Sequence, residues 1–484
     1  MPTILGANQL DTSYEISNSI RFNDGDSPRL QETTGSNSNR NKFTFSAWVK
    51  KCQNLGTDQT LFSANDGGHQ PHIKFDGTSE QLNVRISDSD NYNVKTSRSF
   101  RDVAAWYHIV VAVDTTQSTA ANRIKIYVNG EQETSLSTTN YPSQNYNFAI
   151  NTNTEHTLGR DVTTNNKPFD GYMAEVYFVD GQQYDPTYFG ETNSNGVWVP
   201  VEKDQGAGGT ITFGTHGIYF EFKQTGTSQN SSGMGADTSG NDNHYAATNL
   251  SSFDITTDTP TNNFLTMNPL ATNSRGDFRE GNTQVQTNVQ GSVPYGQVEF
   301  GTFAVNKGKW YYEAKVTSVG SGGQLAVGWN ERWQSNSYVN GHNNLGSSGN
   351  VWYGSSGKFQ DGGTSNTTSP NTFTDDDIIG FAIDIDNKKF YAHKNGTYQS
   401  NGTGTGDPAN GTNGFTFTSS YNDYWTPWMS KDDTSNNANV KFNFGNPAFS
   451  ISSSQADDNG YGNFEYDVPA GFYSLNTENL AQFG

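Results

Sequence analysis

From residue 19 to residue 445 the sequence keeps returning to short runs in which every second residue is apolar. That period belongs to a strand with one dry and one wet face; an amphipathic helix needs apolar residues three and four apart. In the first part the clearest runs are "FTFSAWVK" (43–50), "LNVRIS" (82–87), "WYHIVVAVD" (106–114), "RIKIYVNGE" (123–131) and "GYMAEVYFVDG" (171–181). The second part continues with "WYYEAKVTS" (310–318), "QLAVGW" (324–329), "WTPWMS" (425–430) and "VKFNFG" (440–445). Gly, Asn, Ser and Thr fill the intervals, which is turn chemistry. Helical periodicity is confined to 183–192 and 474–482, both too short to organise a fold. Short strands in such number bury their dry faces most simply as paired sheets, so the pattern predicts an all-β chain of antiparallel β-sandwiches.

At 484 residues the chain exceeds one ordinary core, which points to more than one domain. Its 32% hydrophobic content would suit disorder in a short chain, but 13% aromatic residues argue for packed interiors. Composition shifts mark the boundaries. Residues 1–12 read as an N-terminal arm, 13–190 as a first sandwich, and 191–265 as a linker holding one strand, "GIYFEF" (217–222). Residues 266–450 read as a second sandwich, followed by a tail, 451–484. Phe464, Val468, Phe472, Leu475 and Leu480 give that tail enough apolar surface to dock. Heptads and 20–50-residue repeats are absent, which excludes a coiled-coil shaft and a solenoid.

The formal net charge of −20 repels phosphate backbones and anionic lipid, so neither nucleic acid nor membrane is an expected partner. Cys52 is the single cysteine, which excludes an internal disulfide. The N-terminal "MPTILGANQL" lacks the pattern of a signal peptide, and no run approaches the roughly 20 apolar residues of a membrane span. These features predict folding in a reducing cytoplasm, while the polar, loop-rich β character suits work outside a cell. A virion, assembled inside and released by lysis, meets both conditions.

The stretch "DDDIIGFAIDIDNKKFYAHKNG" (375–396) invites a calcium-loop reading. An EF-hand register starting at Asp384 puts Lys388 and Lys389 where a ligand and a glycine belong, and no Glu closes it. As a hairpin it works: Ile379, Phe381, Ile383 and Ile385 share one face, Asp386-Asn387-Lys388 turns, and Asn395-Gly396 signals a type I′ turn. The first part repeats this grammar in "HIVVAVD" and "RIKIYVNGE", ending at Asn129-Gly130.

Other motifs read more plainly. His69 and His72 lack the acidic or cysteine partners zinc needs and read as a surface loop. "GTGTGDPANG" (402–411) has no Lys-Ser/Thr ending and no following helix, so it is a loop and not a phosphate cradle. The Glu-x-Asp-x-x-Glu and Gly-x-Ser-x-Gly patterns of hydrolases are absent, so catalysis is not expected. The sequons at Asn366, Asn395, Asn401 and Asn410 read as bare asparagines.

In their order, "NSIRFNDGDSPRL", "FTFSAWVK", "WYHIVVAVD", "IKIYVNGE" and "FDGYMAEVYFVDG" resemble a laminin-G-like, concanavalin A-like jelly roll over roughly 13–190. "GKWYYEAKV", "LAVGW", the 375–396 stretch, "WTPWMS" and "VKFNFG" resemble a SPRY domain over roughly 298–446. The join "DTSGNDNHY … DTPTNNFLTMNPL" is similar to the connecting segment of structural proteins from marine tailed phages. The resemblance implies two tandem jelly-roll domains that bind glycans or proteins through loops or a concave face.

It also implies a candidate calcium site at Asp24 and Asp26 with Asp170 and Glu175. A full ligand set is not visible there, and the alternative is a plain turn with solvated acids. Trp333, Tyr338, Trp352, Tyr353, Tyr421 and Tyr424 are the candidate ligand-binding aromatics, since ring faces stack on sugars and anchor interfaces. Trp329, Trp425 and Trp428 read instead as core. The expectation is a phage virion surface protein, fibre-like or decorating, on capsid or tail. Its partners would be other virion proteins and host-surface glycan, and trimerisation would suit an appendage. The rival readings are a secreted marine bacterial adhesin or glycan-degrading enzyme, and a purely architectural virion protein.

Overall fold

The computed structural model describes residues 14–52, 56–67, 70–87, 91–162, 167–271, 276–287, 297–320, 325–331, 350–361, 370–418, 424–431 and 437–484. The chain divides into two compact units, 1–262 and 263–484.

The first unit opens with β1 (Ser19–Phe22), β2 (Arg29–Thr33), β3 (Lys42–Lys51), β4 (Gln59–Ala64), β5 (His72–Phe75) and β6 (Gln81–Ser87). β7 (Tyr92–Ser99), β8 (Trp106–Asp114), β9 (Ile124–Val128), β10 (Glu131–Gln132), β11 (Leu136–Asn140), β12 (Glu155–Leu158) and β13 (Gly171–Asp180) follow. Five short strands complete it: β14 (Gly190–Thr192), β15 (Trp198–Pro200), β16 (Ile218–Phe220), β17 (Ala246–Thr248) and β18 (Ile255–Thr256). One sheet runs β10-β9-β8-β3-β13-β1-β18, with β16 also on β13; the other runs β11-β7-β6-β5-β4-β12-β2-β17. All of these strand pairings are antiparallel. The alternating apolar residues meet between the sheets, where Phe45, Phe62 and Phe178 stack within one buried cluster.

Residues 191–262 differ from the linker expectation, because they are built into this unit. β16 pairs with β13, β17 with β2 and β18 with β1. Phe220, Phe222, Met234 and Tyr245 enter the main core, while Ile211, Phe213 and Tyr219 cover the outer face of the first sheet. A segment that seals edges uses isolated apolar residues without a period, so composition disguises it as a tether.

The second unit contains β19 (Asp277–Arg279), β20 (Gln284–Gln286), β21 (Gln297–Phe300), β22 (Lys309–Ser318), β23 (Leu325–Asn330), β24 (Asn350–Gly354) and β25 (Lys358–Asp361). It continues with β26 (Ile378–Asp384), β27 (Lys389–Lys394), β28 (Thr397–Tyr398), β29 (Phe415–Thr416), β30 (Thr426–Lys431), β31 (Asn439–Asn443) and β32 (Tyr473–Ser474). One helix, α1 (Thr477–Phe483), ends it. The larger sheet runs β19-β20-β31-β22-β26-β27-β28, with β29 on β27 and β32 on β22; the smaller runs β21-β30-β23-β24-β25. Among the described residues no helix is long and apolar enough to cross a membrane.

The 375–396 stretch is the expected hairpin, with β26 and β27 antiparallel and Ile379, Phe381, Ile383 and Ile385 in the core. Asp384 takes the Asn387 amide at 3.0 Å and so closes the turn. Asn395 and Gly396 sit at φ 48° and 80°, as Asn129 and Gly130 do at 49° and 81°, the paired positive values of a type I′ turn. Gly380 meets a different constraint: a Cβ there would lie 1.9 Å from Nε2 of the buried His393. Gly380→Ala is therefore expected to cost about 2 kcal/mol, read as a lower midpoint in denaturant unfolding.

The C-terminal tail docks on the outer face of the larger sheet. β32 lies parallel to β22, and Phe464 and Phe472 pack on Tyr311, Ala382 and Tyr391. Buried Glu313 anchors it, accepting the backbone amides of Glu465 at 3.0 Å and Tyr466 at 2.8 Å.

Candidate binding site

The polar positions of β4 to β7 do not simply face bulk water. Where Ile73, Leu82, Val84 and Val94 point into the core, their neighbours line up across the outer face of the second sheet of the first unit. Strand register places Thr157 beside Ser63, Ser63 beside His72, His72 beside Arg85, Arg85 beside Asn93, and Asn93 beside Asn140. A parallel row contains Thr60, Lys74, Asn83, Lys95 and Thr138. Crossing six strands at about 4.8 Å each, the first row spans roughly 24 Å.

Several groups in these rows are buried without using their hydrogen-bonding capacity. Among the described residues, Asn83 Oδ1, Asn93 Oδ1, His72 Nε2 and Thr60 Oγ1 have no partner. Buried polar atoms are normally satisfied, so this concentration requires an explanation. At the other end, Ser63 bonds Thr157 at 2.8 Å and the Arg160 carbonyl at 3.0 Å, and is closed within the protein.

Charges on the face are balanced. Lys74 meets Asp58 at 2.6 Å, Lys95 meets Asp76 at 2.9 Å, and Lys167 lies 3.6 Å from Asp58. The Lys95 bond and the hydroxyl and amides of Ser79 and Thr78 hold Asp76 down to about 2 against its own desolvation. Burial pushes His72 well below the usual imidazole range, and Lys74, Lys167 and Arg85 push it further. The imidazole is therefore neutral at pH 7. A face with neutral donors and acceptors and internally paired ions suits a hydroxyl-rich ligand better than a strongly anionic one.

The residues singled out from sequence fare differently. Trp352 and Tyr353 are wholly buried and present no ring to a ligand. Trp352 packs with Val298, Phe300, Ala326 and Trp428, while Tyr353 joins the main core and donates its hydroxyl to the Asn371 carbonyl. Tyr424 is half-buried beside buried Trp425, and Trp329 and Trp428 are core as expected. Trp333, Tyr338 and Tyr421 lie outside the described residues, as does His69. His72 belongs to β5 and is buried, which corrects the surface-loop reading.

Asp24, Asp26, Asp170 and Glu175 are not brought together. Among the described residues no group of three acids, histidines or cysteines is placed to hold a metal ion. Asp26 accepts from Asn23 at 2.7 Å within a single 3-10 turn. Glu175 sits at a bulge in β13 with φ 48° and accepts hydroxyls from Tyr14 at 3.0 Å, Tyr177 at 2.9 Å and Tyr219 at 2.6 Å. Burial raises Glu175 to about 7 despite these bonds. Sequence cannot announce this cluster, because Tyr14 and Tyr219 come from opposite ends of the unit.

One arrangement resembles a nucleophile and base. His108 Nε2 lies 2.9 Å from Ser46 Oγ. Trp198 Nε1 donates to His108 Nδ1 at 3.0 Å, so Nε2 carries the hydrogen and donates to the serine, the reverse of a general base. Burial also pushes His108 down to about 3.

Residues 24–182 match the concanavalin A-like lectin/glucanases superfamily, and residues 309–447 match the SPRY domain. Among curated proteins, none matches the chain by sequence. Solved structures with likeness to it include the SPRY domain of human HERC1, 14% identical over 33% of this chain and 87% of that one, TM-score 0.26. A Bacteroides ovatus protein provisionally named as carbohydrate binding is 15% identical over 49% of this chain and 58% of that one, TM-score 0.31. Domain 4 of the extracellular arabinanase AbnA from Geobacillus stearothermophilus, solved with arabinotriose, is 22% identical over 30% and 64%, TM-score 0.23. This chain thus spans less than two thirds of the second and third of these structures. A concanavalin A-like domain and a SPRY domain are present, and such domains point to binding of carbohydrate or protein.

Proposed function

We propose that this chain is a non-catalytic glycan-binding protein of a tailed-phage virion, an appendage on capsid or tail that engages host-surface saccharide or a neighbouring virion protein. The observation that supports glycan binding is the cross-strand row of the first unit, with Asn83 Oδ1, Asn93 Oδ1 and His72 Nε2 buried and unpartnered among the described residues. A polyol supplies alternating donors and acceptors at the spacing of neighbouring strands; it would meet half-buried Asn93 and Thr138 and exposed Asn140 at the surface, and reach the deeper atoms once the side chains above them turn aside. The virion placement rests on the pairing of the two domains and on the likeness of the 237–270 join to marine phage structural proteins.

Binding residues kept at a cost to the fold give a distinctive signature. Asn83→Ala is expected to leave thermal stability unchanged or slightly raised while lowering glycan-array binding about tenfold. A parallel loss of stability and binding would instead make Asn83 structural. Incubation with the bound glycan should release no new reducing ends. Mass spectrometry of purified virions checks the placement: absence of this chain from the particle would sink it.

A further inference from the structure

The polar row of the first unit ends at Asn140, and there the lining changes. Asn91, Tyr92, Ala120, Thr139, Asn140 and Tyr141 line a shallow, open cleft of about 450 Å³. Its walls come from the start of β7, the end of β11 and the single 3-10 turn Ala120–Asn122 between β8 and β9. Asn91, Ala120, Thr139 and Asn140 are exposed, and both tyrosines are half-buried.

Three features suit this cleft to a sugar ring. Tyr92 is held edge-on by Tyr146, with centroids 5.0 Å apart and an interplanar angle of 79°, so ordering it on binding costs little. Asn91 holds a left-handed backbone at φ 54°, and the Tyr141 amide closes onto the Thr139 carbonyl at 3.0 Å; both walls are tight turns. No lining residue is charged. The exposed parts of two half-buried tyrosines, with two carboxamides and a hydroxyl, match a ligand whose one surface is C–H and whose rim is hydroxyl. A cationic, anionic or wholly apolar ligand finds no complement there.

We infer that this cleft is a subsite for a neutral saccharide residue, reached from the end of the outer-face row by turning over the β11 edge, since Asn140 faces outward with Asn93 while Tyr92 and Tyr141 pack on the core side. The inference rests on the reading of the first unit as a glycan-binding body. Asn140 belongs to both the row and the cleft, so a linear chain that follows the row and bends over β11 would place a terminal unit against Tyr92 and Tyr141. Affinity should then rise with chain length until the cleft is filled.

The test uses the full chain on an array of neutral and acidic oligosaccharides of graded length, with four variants checked for folding by circular dichroism. Tyr141→Ala should lower binding of the longer neutral glycans about tenfold and leave the shortest ones unaffected. Tyr141→Phe should retain most of that binding, because stacking survives. Ala120→Trp fills the cleft from an exposed position and should reproduce the loss without touching packing. Asn83→Ala should weaken short and long glycans alike. Undiminished binding in Tyr141→Ala and Ala120→Trp, with loss in Asn83→Ala, overturns the subsite and keeps the outer-face reading. Loss in the cleft variants alone keeps the subsite and overturns the outer face. Binding confined to acidic glycans overturns the neutral class, and no binding by the unaltered protein overturns both readings.

Discussion

Acidification from pH 6.5 to 4.5 is expected to destabilise the first unit and to spare the second. In the first unit burial drives His108 down to about 3 and His156 to about 4, and His72 well below its ordinary 6.5. Each stays neutral in the folded state and takes a proton when unfolded. Each therefore contributes stability above pH 6.5 that is lost as the pH falls toward the folded value, at about 1.4 kcal/mol per pH unit. Glu175 acts the other way. Raised from 4.5 to about 7, it contributes stability below pH 4.5 that is lost as the pH rises through 7. Three imidazoles against Glu175 and Glu32, which burial also raises, leave a net loss of stability on acidification. Buried His216 is lowered too and adds in the same direction.

In the second unit His393 is opposed by Glu313 and by Asp361, which burial also raises. His393 falls to about 3 and Glu313 rises to about 7, both through burial, and their slopes cancel between pH 4.5 and 6.5. Hydrogen exchange of the intact chain at pH 7, 6 and 5, resolved by peptide, measures both units in one experiment. Equal loss of protection in the two units would contradict the assignment.

Glu313→Ala is the second large effect, expected to cost the second unit about 3–5 kcal/mol. The carboxylate receives the amides of Glu465 and Tyr466, Asn443 Nδ2 at 3.1 Å and the Tyr311 hydroxyl at 3.1 Å. Removing it strands these donors in a dry site under the tail and leaves a cavity. For a unit of this size the loss corresponds to a melting temperature lower by about 10 °C. Limited proteolysis should then cut the tail near 450–470 before the rest of the unit. Glu313→Gln keeps one acceptor oxygen but turns an NH2 toward a backbone amide on the other side, and should lose about half as much stability. A tail as resistant in Glu313→Ala as in the unaltered protein would mean that Phe464 and Phe472 hold it without the carboxylate.

Strand identity was legible because the β26–β27 hairpin advertises itself locally, in the alternation of Ile379, Phe381, Ile383 and Ile385 and in the Asn395-Gly396 turn. The same two-residue period made Trp352 and Tyr353 ambiguous. Alternation says that they face opposite sides, but both sides of that sheet are buried, by the core and by the Trp428 cluster. The outer-face row was illegible for a related reason. His72, Arg85 and Asn93 look like ordinary solvent-facing positions until register aligns them across three strands.

The sequence by itself determined the class of the molecule: all-β, with two sandwiches and turns closed by Asp, Asn and Gly. These depend on interactions within about ten residues, where periodicity and turn geometry act directly. Only the tertiary structure decided that 191–262 belongs to the first unit, that Glu175 and Glu313 sit in dry cages, and which polar residues line up across the outer face. Each of those facts depends on contacts between segments far apart in the chain, and burial and register arise only when the sheets have closed.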